Sequence, residues 1–158
     1  MPSAQRQIPT LVLPQEWVIG DEVEVIGDLV AHASIDCSTM MSMQEKQFHI
    51  LATEAVGFGT PGNLWVWVEV SPYPSSVTTA YWEAIGGSVG AVTPVPDVPR
   101  VPVAPNVIIG TGVHLTTHRL ILPFTLHDEY CRICVRTPVS ADLATAQWAV
   151  QALFMGKY

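Results

Sequence analysis

Two stretches of this chain align without a gap. Leu64-Trp-Val-Trp-Val-Glu-Val70, Ser71-Pro72 and Val77 to Trp82 fall on Tyr130-Cys-Arg-Ile-Cys-Val-Arg136, Thr137-Pro138 and Leu143 to Trp148, so that Trp82 and Trp148, Pro72 and Pro138, and Thr79 and Thr145 are each 66 positions apart. Each copy reads as a strand of β-branched and aromatic residues, a hydroxyl-proline break that cannot continue a ladder, and a second strand opened by Thr-Ala-x-Trp. Within the first copy, alternation puts Trp65, Trp67 and Glu69 on one face and Leu64, Val66, Val68 and Val70 on the other. Both faces are apolar over most of their length. A strand inside a two-layer sandwich, or beneath a partner, requires that.

The remaining chain repeats the same grammar. Leu11-Val-Leu13 before Pro14, Glu16 to Ile19 and Glu22 to Ile26 about a Gly20-Asp21 turn, Leu29 to Ile35, Lys46 to Val56, Val107 to Val113 and Leu115 to Phe124 all read as strands. Only Ala141 to Val150 contains a helical pattern, and its match to the first copy argues for a strand there. The expected fold is all-β: a single-domain antiparallel β-sandwich or jelly roll with an internal repeat at about 64–82 and 130–148. At 158 residues one such domain buries a core without staples. Residues 1–10 carry no periodicity and read as an N-terminal arm, leaving 11–158 for the sandwich.

Between the copies, Pro96, Pro99, Pro102 and Pro105 recur every third residue within 93–105, the turn length of a polyproline II helix. This extended segment is expected to cross the sandwich or reach over a neighbouring subunit. Pro96-x-x-Pro99-Arg100 also matches a ligand for SH3-type domains, a pattern common by chance.

Charge then bears on function. Charged residues make up 13% of the chain and hydrophobic residues 49%, against about 25% charged in an ordinary soluble domain. Too few charges to wet a monomer's surface imply that part of it faces other subunits. The net charge of −7, with seven Lys and Arg in all, argues against nucleic acid as a partner. The first residues lack the apolar core of a signal peptide, and no run is long enough for a spanning helix, so no membrane role is expected, and the chain is expected to be made and kept in a cytoplasm or carried out of one inside an assembly. Three cysteines fit free thiols better than a disulfide framework.

Candidate chemistry is sparse. Cys131-x-x-Cys134 sits in a strand pattern, where positions three apart face opposite sides, and Cys37 is the only other thiol. His114 and His118 on a strand stand about 13 Å apart, beyond the reach of one ion. His127-Asp128-Glu129 reads as a solvated turn, and Glu16, Asp21, Glu22, Glu24 and Asp28 as an acidic hairpin rather than a glycosidase pair. Phosphate loops, nucleophile elbows and zinc-protease helices do not occur. No catalytic, cofactor or metal residues are assigned, and the chain is not expected to be an enzyme. Trp82 and Trp148 recur in both copies and read as packing residues. Trp65, Trp67, Pro96, Pro99, Pro102 and Pro105 are the interface or ligand candidates.

The second copy, Tyr130-Cys-Arg-Ile-Cys-Val-Arg-Thr-Pro-Val139 through Trp148-Ala-Val-Gln-Ala-Leu-Phe-Met-Gly-Lys157, resembles strands from small virion proteins of tailed bacteriophages. The resemblance implies a β-sandwich that decorates or cements a capsid, or belongs to the tail, and works as an oligomer in a virion assembled in the host cytoplasm. No catalytic residue carries over from it. The reading is therefore a structural assembly protein whose partners are its own copies and a capsid or other virion protein. A carbohydrate-binding sandwich that stacks sugars on exposed Trp65 or Trp67 is the alternative.

Overall fold

The computed structural model describes residues 8–13, 23–26, 31–36, 45–54, 63–73, 82–89, 101–110, 117–125, 130–137 and 146–157. Their regular elements are all strands: β1 (Ile8–Leu13), β2 (Val23–Ile26), β3 (Ala31–Asp36), β4 (Glu45–Glu54), β5 (Leu64–Ser71), β6 (Glu83–Ala84), β7 (Ser88–Val89), β8 (Val101–Pro102), β9 (Val107–Ile109), β10 (Thr117–Pro123), β11 (Tyr130–Arg136) and β12 (Ala146–Lys157). No helix among them is long and apolar enough to cross a membrane.

Two antiparallel sheets form a sandwich. The first runs β10, β4, β12 and then β1, with β2 also on β12; the second runs β3, β11, β5 and then β6, with β9 also on β5. Each sheet thus has one long strand whose outer edge is shared by two short ones. On β12, β2 takes Ala146 to Val150 and β1 takes Ala152 to Gly156. On β5, β9 takes Leu64 to Val66 and β6 takes Glu69 and Val70. The gap between β9 and β6 is closed by a side chain: Asn106 Oδ1 accepts from the Val68 backbone N–H at 2.7 Å, and Val68 O accepts from Ile85 N at 2.9 Å. Asn106 Nδ2 donates to Ile85 O at 3.4 Å. The following turn needs Gly86, whose φ of +99° is a region that side-chain-bearing residues avoid.

The inner faces meet in one apolar cluster. Phe48, Ile50 and Ala52 of β4, Leu122 of β10 and Trp148, Val150, Ala152 and Phe154 of β12 pack against Leu64, Val66 and Val68 of β5 and Cys131, Ile133 and Val135 of β11. One end is aromatic, with Phe48 stacked on Phe124 at 4.9 Å and set edge-on to Phe154 at 5.6 Å. Burying each such ring stabilises the fold by roughly 1.5–3 kcal/mol.

Three expectations change. Ile8, Pro9 and Thr10, read as part of an arm, pair with Gly156, Met155 and Phe154 and belong to the sheet. Val101–Pro102, read as polyproline II, forms a short ladder with β7, Pro102 opposite Ser88. The aligned copies, finally, share a strand and residue types but not a face. In β5 the even positions from Leu64 point into the core, and in β11 the odd positions from Cys131 do. An even offset of 66 therefore maps core positions onto outer ones. Their second halves diverge as well: Trp82 leads into β6, beside β5, while Trp148 lies in β12, in the opposite sheet.

Candidate interaction surface and a buried polar cluster

The middle of the outer face of the β5–β11 sheet is closed off. Pairing sets Glu69 opposite Arg132 and Trp67 opposite Cys134, and all four side chains have no exposed area. Arg132 Nε donates to Glu69 Oε2 at 2.7 Å, and Nη2 lies 2.6 Å from the same oxygen. Trp67 Nε1 donates to Glu69 Oε1 at 3.1 Å. Buried charge is tolerated only when paired and hydrogen-bonded, and here each carboxylate oxygen has a donor. The Trp82 ring covers the guanidinium at 4.4 Å, a cation–π contact. Burial first, then the Glu69 carboxylate, push the Cys134 thiol well above its ordinary range, with Arg132 pulling the other way. The raised thiol keeps Cys134 in its protonated, weakly nucleophilic form.

Cys131 and Cys134 fall on opposite faces, Cys131 in the core and Cys134 in this cluster, and both are free thiols. Trp82 and Trp148 are both buried packing residues. Trp67 is a correction: with 0% exposure it has no ring face for a sugar. Its alternation partner Trp65 is half-buried against it. Trp65 heads a row on this face with Arg136 on one side and Ile108, 53% exposed, on the other. Pro102 is buried and Pro105 half-buried; Pro96 and Pro99 lie outside the described residues. So do Cys37, His114, the run from His127 to Glu129 and every member of the acidic hairpin except Glu24, which stands in β2. The Arg132–Glu69 pair was legible only as two lone charges of opposite sign, each inside an apolar strand.

At the end of the core away from the phenylalanines, Glu54 and His118 turn inward beside Trp148. Glu54 is buried, His118 Nε2 is 3.8 Å from its Oε1, and the His118 and Trp148 rings are 5.6 Å apart. That distance is too long for a hydrogen bond. No group of three or more His, Cys, Asp and Glu side chains able to hold a metal occurs among the described residues.

The outer face of the β4–β12 sheet has a different character. Register arranges its three long strands in rows: Pro123, Gln47, Met155; then Ile121, His49, Leu153; then Arg119, Leu51, Gln151; then Thr117, Thr53, Ala149. Of these side chains only Arg119 carries a permanent charge. Ile121 is 54% exposed, and the middle rows line a hollow of about 410 Å³ whose floor reaches Ile50 and Leu120. Gln47 and His49 are joined through their side-chain nitrogens at 2.7 Å, and Thr53 and Thr117 through their hydroxyls at 3.2 Å. Two polar pairs on this face thus satisfy one another, and Leu51, Ile121 and Leu153 supply the aliphatic part of the hollow.

Compared with known proteins, the chain matches no family model, no curated sequence and no solved structure.

Proposed function

We propose that this chain is a structural assembly protein, acting through contacts between subunits rather than through chemistry, and that the outer face of the β4–β12 sheet is its contact surface. The observation that carries the reading is that face: Leu51, Ile121 and Leu153 around a hollow, with Arg119 the single permanent charge among the four rows named above. A sheet face left to water ordinarily alternates toward charged and polar residues, and an apolar outer face marks a place where another surface sits. The low charge of the whole chain, 13%, agrees with it. The likeness of β11 and β12 to strands of phage virion proteins supplies the setting, a virion component that decorates or stabilises a capsid after assembly in the host cytoplasm. Light scattering on the purified full chain tests the reading. The expected result is a defined oligomer at micromolar concentration; a monomer at every concentration would overturn it.

A further inference from the structure

We draw no further inference here: the strongest candidate, the hollow among Leu51, Arg119, Ile121 and Leu153 on the outer face of the β4–β12 sheet, belongs to the surface already described, and nothing in the structure shows what covers it.

Discussion

Arg132 and Glu69 face each other across β11 and β5, both fully buried, with the guanidinium on the carboxylate at 2.6 and 2.7 Å. The pair sets strand register. A slip of one residue would turn Arg132 into the apolar space between the sheets, where it would meet no carboxylate. Removing one partner strands the other: Glu69→Gln or Arg132→Met is expected to cost about 3–5 kcal/mol. The double variant should lose distinctly less than the sum, because no buried charge remains. Urea unfolding of the four proteins measures this, and strictly additive losses would refute the coupling.

Asn106 closes the break in the edge of β5 through its bond to the Val68 N–H. Replacing it with alanine leaves that donor without its acceptor and is expected to cost about 1–2 kcal/mol. Asn106→Asp keeps the acceptor oxygen and should lose less. Amide exchange at Val68 gives a local reading, with faster exchange expected in the alanine variant alone.

The two neighbouring tryptophans should separate sharply. Trp67→Ala empties a fully buried site and removes a donor to Glu69, and about 3–5 kcal/mol of lost stability is expected. Trp65→Ala, at a half-buried site, should cost about 1–2 kcal/mol. Equal thermal shifts would contradict the burial that removes Trp67 from any ligand surface.

Cys134 provides a pH signature. Its thiol is raised well above 9.0, chiefly by burial, so the fold keeps the proton while the unfolded chain loses it near that value. Stability is then untouched below about pH 9 and declines above it, since the unfolded state alone ionises. Midpoints of urea unfolding measured across that range should fall more steeply for wild type than for Cys134→Ala. Parallel curves would count against it. Cys131 and Cys134 should both resist alkylation until the protein unfolds.

Local pattern was enough for the class of fold and for relations inside a strand. Alternation from Leu64 to Val70 separated the residues that pack between the sheets from Trp65, Trp67 and Glu69, and the spacing of Cys131 and Cys134 put them on opposite sides. A period of two says which side chains share a face, whatever the rest of the chain does.

Which face turns inward, and which sheet a strand joins, depends on pairing between residues far apart in the chain, and no local period encodes that. The repeat shows the difference. Its copies match in sequence, yet antiparallel pairing of Trp65 with Arg136 through Ser71 with Tyr130 inverts one against the other, so Val66 is core while its counterpart Arg132 is not. The same pairing makes two lone charges, 63 residues apart, into one buried ion pair, and it buries Trp67 where composition alone suggested an exposed ring. Residue order set the faces of each strand; only the assembled sheets, by satisfying backbone hydrogen bonds and buried charge together, decided which of those faces meets water.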